Sequence, residues 1–367
     1  MQENVKHKAL YESLKRQILD GRFDDAHPFP SEMSLVRENG LSRQTVRAAF
    51  QKLRLMGLIE GHRGEPPHVT KLGAMRKIGL VVPGIAYSEF YPVIVGELSR
   101  LAMLNKFTLV FCDALSNSPE TRANQVVEFA AELIRQNVAG VLFHPIECVR
   151  NATRLNKRIV SAFDEAGVPV VLLDTDILPP PERSSYDVVG VNNYAAGQRL
   201  AIHLIAAGAK RIHCMMYDFV AGSVRNRFSG VQSCVRSVEG LKTGILCAEP
   251  DDVRKVRAYV NKFRPDAFVC GNDTVAAILG QTLRKIGRRI PDDILLAGFD
   301  DLRHAEIMTP QLTTIHQPCA ALAKSAFETL LARMRHPKSP PREIFLSAPL
   351  VVRESTRKIP MKRRMAR

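Results

Sequence analysis

The chain has 367 residues, with 52 Lys and Arg against 37 Asp and Glu for a formal charge of +15, and 46% of it is hydrophobic. At about 100–200 residues per domain that is room for two or three domains, and without any apolar run near the roughly 18 residues a bilayer span needs, a helical membrane protein is excluded. The charge is uneven: residues 1–77 hold 14 basic and 9 acidic side chains, residues 353–367 hold 7 and 1, and the long stretch between is nearly balanced.

The first seventy residues predict three helices and a hairpin. Leu10, Tyr11, Leu14 and Ile18 recur at helical spacing and Gly21 ends the run. After a loop with two prolines, Ser31 offers an N-cap for a helix through Glu32, Leu35 and Val36 that Asn39-Gly40 closes. Ser42 then caps a third helix whose inward face is Val46, Ala49, Phe50 and Leu53. Two short helices joined by a tight Gly-containing turn are a helix-turn-helix. Leu58-Ile59 and Val69, separated by glycines and the Pro66-Pro67 pair, read as a hairpin, which makes a winged helix-turn-helix.

The third helix carries the candidate chemistry. Ser42, Arg43, Gln44, Thr45 and Arg47 are expected on its exposed side. Arg43 and Arg47 are four apart and share one face near the N-terminus, where a helix lying in the major groove presents its side chains to base edges. Arginine there can bind guanine O6 and N7 bidentately. Taken alone, the same face could be a charged surface that only keeps a small domain soluble.

The run Pro28-Phe29-Pro30-Ser31-Glu32, Leu35, Leu41 to Phe50, Leu53 and Gly57-Leu58-Ile59 resembles the GntR-type winged helix-turn-helix. The resemblance implies base contacts from Arg43 and Arg47, with Gln44 beside them, and backbone contacts from Ser31, Ser42 and Thr45. It also implies a minor-groove or phosphate contact from the wing at His62, Arg63 and Gly64. Two departures stand out: Ala26 replaces the family's usual glycine, and Glu65 to Val69 replace the common end of the wing.

From Lys77 the texture becomes apolar strands alternating with amphipathic helices. Strands are predicted at 78–82, 108–111, 140–143, 169–173, 188–191, 212–216, 245–247, 267–270 and 294–297, with helices of 10–15 residues between most of them. That beat means right-handed βαβ units and parallel sheets. Its length predicts two doubly wound lobes, with Pro179-Pro180-Pro181 near their midpoint. The fold class is therefore α/β: a winged helix-turn-helix over 1–70, a linker over 71–76, two lobes over 77–356 and a basic tail over 357–367.

In such lobes a small-molecule site lies beyond the carboxyl ends of the strands, in the cleft. The polar and aromatic residues placed there are Tyr87, Phe90, Tyr91, Asp174, Asp176, Asn192, Asn272, Asp273, Asp300 and Asp301, together with Arg227. Carboxylates, amides, an arginine and rings suit a ligand rich in hydroxyls. Asn192 and Asn272 also sit where helix N-caps belong.

This portion is similar to the sensor domain of the LacI/GalR family, whose fold is that of type I periplasmic sugar-binding proteins. The resemblance is carried by Lys77 to Pro83, Arg227-Phe228-Ser229-Gly230, Cys270-Gly271-Asn272-Asp273, Ile290 to Asp293, Gly298 to Asp301, Pro310 to Pro318 and Val351 to Thr356. It implies that Arg227, Asn272 and Asp300 grip the effector, with Phe90, Tyr91, Asp174 and Gln317 as further contacts. The chain has no Trp, so stacking on a sugar face would fall to Phe or Tyr. The hinge helix that follows a LacI-type head is replaced by the GntR-type head, an arabinose-repressor-like arrangement.

The combined expectation is a cytoplasmic, homodimeric transcription regulator, a repressor by family default, that binds a double-stranded DNA operator under control of a small-molecule effector. A pentose or hexose is the first choice of effector and a nucleobase or nucleoside the alternative. No cofactor, metal, catalytic residue or membrane partner is expected. A transport solute-binding protein lacks support, because the first twenty residues alternate charge with hydrophobes and show no secretory signal. An enzyme lacks support because there is no Gly-rich phosphate loop. The seven cysteines, an odd number without a CxxC pair, read as small core hydrophobes in a reducing compartment.

Overall fold

The computed structural model describes residues 2–19, 21–23, 26–61, 66–70, 76–85, 89–112, 118–217 and 220–357. The wing residues His62, Arg63 and Gly64, Tyr87, most of the linker and all but the first residue of the basic tail lie outside them.

In the head, α1 (Gln2–Leu19) packs Leu10, Tyr11, Leu14 and Ile18 against Val46, Ala49, Phe50 and Leu53 of α3 (Arg43–Leu55). Between them α2 (Glu32–Asn39) starts on the Ser31 side chain and ends at Gly40, whose φ of 60° is the left-handed turn a glycine takes without steric cost. The hairpin pairs β1 (Ile59–Glu60) with β2 (His68–Val69), antiparallel, with Ile59 opposite Val69.

The sensor has two lobes of all-parallel sheet. The first carries β3 (Arg76–Val81), β4 (Phe107–Cys112), β5 (Gly140–Phe143), β6 (Val170–Leu173) and β7 (Asp187–Val191), in the order β4-β3-β5-β6-β7. The second carries β8 (Arg211–Met216), β9 (Lys242–Cys247), β10 (Ala267–Cys270) and β11 (Leu295–Ala297), in the order β9-β8-β10-β11. Each sheet thus reverses its strand order beside its first strand, the switch point at which doubly wound folds bind ligands. Short β12 (Thr314–Ile315) pairs with β14 (Leu350–Val351), and β13 (Glu343–Leu346) returns to the first lobe beside β7.

Strand parity decides which helix each side chain meets. In the first lobe Ile78, Leu80, Leu142 and Val171 face α4 (Phe90–Leu104) and a long late helix, Cys319–Arg335. Val81, Val141, Phe143, Val170 and Leu172 face α5 (Pro119–Arg135) and α6 (Ala152–Glu165). The second lobe is covered by α7 (Asn193–Ala206) and α8 (Gly222–Arg236) on one side and by α9 (Val253–Phe263) and α10 (Asp273–Lys285) on the other. Then come α11 (Arg303–Ile307) and the late helix, which is α12.

Three expectations need correcting. The chain leaves the first lobe after β7, so the Pro179-Pro180-Pro181 loop lies inside that lobe, between β6 and β7. Residues 319–335, left unassigned from the sequence, form α12 and bury Ala323, Ala326, Phe327 and Leu330. The seven cysteines are not all core: Cys214, Cys270 and Cys319 are buried, whereas Cys112 and Cys247 end edge strands and are exposed.

Helices α7 and α8 approach through glycine. A Cβ on Gly197 would lie 1.9 Å from the Arg227 carbonyl oxygen, and one on Gly230 would lie 2.0 Å from that of Tyr194. Two backbones at that separation leave no room for a methyl group. Gly230→Ala is therefore expected to cost about 1–3 kcal/mol in chemical denaturation; an unchanged midpoint would contradict the close crossing.

Candidate nucleic-acid interface and effector cleft

On the head, Arg43, Gln44 and Arg47 are exposed on α3, as the sequence predicts. Arg47 Nε lies 3.4 Å from Glu32 Oε2 of α2, and Arg43 Nη2 reaches Met33 Sδ at 2.8 Å. These contacts lay both side chains against α2 on the outer face of the helix pair. Thr45 departs from expectation: it is turned inward at 5% exposure, and its hydroxyl shares a 2.8 Å hydrogen bond with Ser42 Oγ. It packs the turn and does not offer itself to phosphate. Ser31 Oγ accepts from Ser34 N and Ser42 Oγ from Thr45 N, each at 3.1 Å, so both serines are N-caps exposed at helix starts. Helix N-termini of this kind receive anions.

The cleft between the lobes gathers most of the residues marked from sequence. Phe90, Tyr91, Asp174, Arg227, Asn272, Asp300 and Gln317 all line one cavity of about 250 Å³. All but Arg227, which sits in the second turn of α8, follow a strand or open a helix at the carboxyl edge. Asp174 directly follows β6 with φ of 65°, and Asp300 comes three residues after β11 with φ of 119°. Positive φ at two aspartates facing a cleft is the kind of backbone strain that concentrates at binding sites.

Arg227 is the centre of the second lobe's wall. It is 4% exposed, donates from Nη1 to the Gly271 carbonyl and from Nη2 to Asn193 Oδ1 at 2.8 Å, and lies 3.2 Å over the Phe299 ring. The Gly197 and Gly230 crossing is what brings Asn193 to it. Burial lowers its guanidinium to about 10, against the pull of Asp300 and Asp174. Asp300 accepts from Gln317 Nε2 at 2.8 Å, and burial raises its carboxyl to about 6 although Arg227 and Gln317 oppose the rise.

Beneath this wall, Asp273 is 1% exposed and accepts from Thr314 Oγ1 at 2.7 Å and from Leu302 N at 3.2 Å, which holds the loop bearing Asp300. Burial and then Asp300 raise its carboxyl to about 8. Asp273 is therefore a support under the cleft.

Three marked residues do other work. Asn192 caps α7, accepting from Ala195 N at 2.9 Å, and is not part of the cavity wall. Asp176 is held by Arg183 and Ser184, and Asp301 by His316 and Arg353. Asn272 does both: it caps α10 through Val275 N at 2.8 Å and lines the cavity.

The sequence reading missed His144, Glu147 and Asn193. His144 follows β5 directly, so the rule applied to the other strand ends would have found it. Its Nε2 lies 3.8 Å from Glu147 and 4.0 Å from Asp174. Glu147 reaches across the cleft and accepts from Gly222 N at the start of α8, whose own N-cap residue, Ala221, offers no side-chain bond. A first-lobe carboxyl thus caps a second-lobe helix. A second bridge joins Glu89, at the start of α4, to His304 of α11.

Burial raises the Glu147 carboxyl to about 7, with the Gly222 N–H opposing and Asp174 adding to the rise. A carboxyl whose folded value exceeds its unfolded one binds extra protons when folded. The stability it contributes is full below the ordinary carboxylate range and is lost as pH rises through the folded value. Glu147, Asp300 and Asp273 all act in this direction, so the melting midpoint is expected to fall between pH 6 and 8. In Glu147→Gln, which keeps the acceptor for Gly222, it should fall less. Equal slopes would contradict this reading of Glu147.

Among the described residues no helix is long and apolar enough to cross a membrane, and no group of three or more His, Cys, Asp or Glu could hold a metal ion.

Comparison with known proteins gives separate matches for the head and for the later part of the sensor. Residues 6–69 match the model for bacterial regulatory proteins of the gntR family, and residues 201–356 match a periplasmic binding protein-like domain. The arabinose metabolism transcriptional repressor of Geobacillus stearothermophilus is 26% identical over 97% of this chain and 100% of its own length. The HTH-type transcriptional repressor PurR of Vibrio vulnificus strain CMCP6 is 27% identical over 79% of this chain and 84% of its own. Among solved structures, a periplasmic binding protein/LacI transcriptional regulator from Alkaliphilus metalliredigens QYMF complexed with D-xylulofuranose aligns with a TM-score of 0.63. It is 23% identical, covering 77% of this chain and 100% of that one.

Proposed function

We propose that the chain, whose head matches the gntR family and whose sensor matches a periplasmic binding protein-like domain, is a cytoplasmic dimeric DNA-binding repressor of LacI/GalR-type sensor architecture whose hold on its operator is set by a sugar-sized effector in the cleft. The observation that carries the proposal is the convergence of Arg227, Asn272, Asp300 and Gln317 from one lobe on Phe90, Tyr91 and Asp174 from the other, around a single cavity. Its volume of about 250 Å³ is under the roughly 300–1,000 Å³ of pockets for drug-sized ligands and supports a monosaccharide. The Phe90–Tyr91 ring pair, 5.2 Å between centroids, favours the alternative of a flat nucleobase.

Lobe closure is the mechanism. Ligand held by both walls favours the closed arrangement, in which Glu147 meets Gly222 and Glu89 meets His304. Closure then changes the spacing of two heads that must meet half-sites roughly 34–36 Å apart or a multiple of that. The relatives are repressors, which supports a binding role without turnover. The dimer is supported by an exposed apolar face on α4 and its neighbouring edge strand: Val93, Met103, Leu104 and Phe111. Sedimentation should give a dimer for the native chain and a monomer after Met103→Glu with Leu104→Glu; an unchanged dimer would move the interface elsewhere.

Electrophoretic shift on DNA from the protein's own upstream region tests the function. A sequence-selective complex that weakens steeply with salt is expected, and the absence of any selective complex, with or without sugars, would overturn the proposal.

A further inference from the structure

Buried carboxylates elsewhere in the sensor have donors. Asp187 has Arg333 and the Arg342 N–H, Asp266 has Arg211 and two backbone N–H groups, Asp176 has Arg183, Ser184 and the Leu178 N–H, and Asp301 has Arg353 and His316. Asp174 does not. Its side chain is 16% exposed, its backbone is fixed by its own N–H to the Val189 carbonyl at 2.8 Å, and its nearest ionisable partner is His144 at 4.0 Å. Among the described residues its carboxylate meets no donor within hydrogen-bond distance, and it faces the cavity.

The surroundings do not neutralise it. Burial lowers the imidazole of His144, with Asp174 beside it pulling the other way. Arg227 spends its two terminal nitrogens on Gly271 and Asn193 and its face on Phe299. Burial raises Tyr91, Glu147 and Asp300, and Asp174 adds a smaller push to each. A second observation is independent of the carboxylates. Gln317 is 6% exposed, gives its amide N–H to Asp300, and leaves Oε1 buried in the cavity wall without a donor. The open capacity of the cleft is thus of acceptor type at Asp174 and Gln317, and of donor type at Arg227 Nε. A neutral hydroxyl can satisfy one acceptor, but the unpaired carboxylate of Asp174 beside a tyrosine wall, its ring 5.1 Å from that of His144, matches an ammonium group.

We propose that the effector carries a protonated amine, as an amino sugar does, with its ammonium on Asp174 between Glu147 and Tyr91 and a ring or hydroxyl oxygen accepting from Arg227. This rests on the reading of the cleft as the effector site. Calorimetric titration of the full chain near pH 7 with D-glucosamine, D-galactosamine and D-mannosamine, each beside its parent hexose, tests it. At least one amino sugar should bind about tenfold or more tighter than its parent. Asp174→Asn should bring that pair to within about threefold by weakening the amine alone. Parent hexoses binding as tightly as the amines, a preference that survives Asp174→Asn, or no binding by any of the three amines overturns the proposal. Asp300→Asn separates it from the underlying reading: it should weaken amine and parent together, and binding that ignores Asp300→Asn overturns the cleft itself as the site.

Discussion

Arg47→Ala is expected to abolish selective operator binding while leaving the sensor's ligand affinity and melting behaviour unchanged. Arg47 is 74% exposed, so truncation removes no core packing, and among the described residues its ion-pair partner is Glu32 at 3.4 Å, a largely solvated pair worth little to stability. The loss must come from DNA. A bidentate contact to a guanine edge discriminates by about 1–3 kcal/mol, and a dimer on a two-fold operator loses it twice. Competition between specific and random duplex measures the effect: the preference should collapse, and residual binding should keep a strong salt dependence from phosphate contacts. Arg43→Ala should behave alike. Thr45→Ala should instead destabilise the head, because its hydroxyl is spent on Ser42 inside the turn.

The second large effect is the opposite phenotype. Asp300→Asn should give a protein that binds operator as the native chain does but no longer responds to effector. The substitution keeps an oxygen to accept from Gln317 and keeps the shape of the loop over Asp273, so the fold is retained. What disappears is the charge opposite Arg227 and the strong acceptor on the ligand. Hydrogen bonds to charged groups are worth about 1.5–3 kcal/mol, or roughly 10–150-fold in affinity. Titration calorimetry gives the loss in ligand binding, and an operator shift under saturating ligand gives the loss of response. A variant that lost DNA binding instead would place Asp300 in the path between the modules and not in the site.

The main elements of head and sensor were legible in the sequence because they rest on period and punctuation. Leu10 to Ile18 and Val46 to Leu53 repeat at helical spacing, Ser31 and Ser42 stand before their helices, and the central strands from Ile78 to Ala297 are apolar runs buried on both faces. The rule for strand ends then marked Asp174 and Asp300, and the family resemblance marked Arg227. Other features depend on contacts far apart in the chain. Glu147 caps α8 from the other lobe, 75 residues away, and Asn193 meets Arg227 only because Gly197 and Gly230 let two helices touch. Thr45 looked exposed because a Ser-x-x-Thr start suits DNA contact as well as an internal bond, and the helix phase at its first turn does not separate the two. Helix α12 was missed because alanine, cysteine and lysine dilute its apolar stripe, and its burial comes from being laid across a sheet formed 130 or more residues earlier.

Coupling between the modules is the claim on which the rest depends, and it can be measured from both ends. Thermodynamic linkage requires that the factor by which a ligand changes operator affinity equal the factor by which operator changes ligand affinity. Operator dissociation constants with and without saturating ligand, set beside ligand constants with and without operator, should give one common factor different from unity in the native protein and unity in Asp300→Asn. Operator affinity that stays the same while ligand demonstrably fills the cleft would contradict control of the head by the sensor.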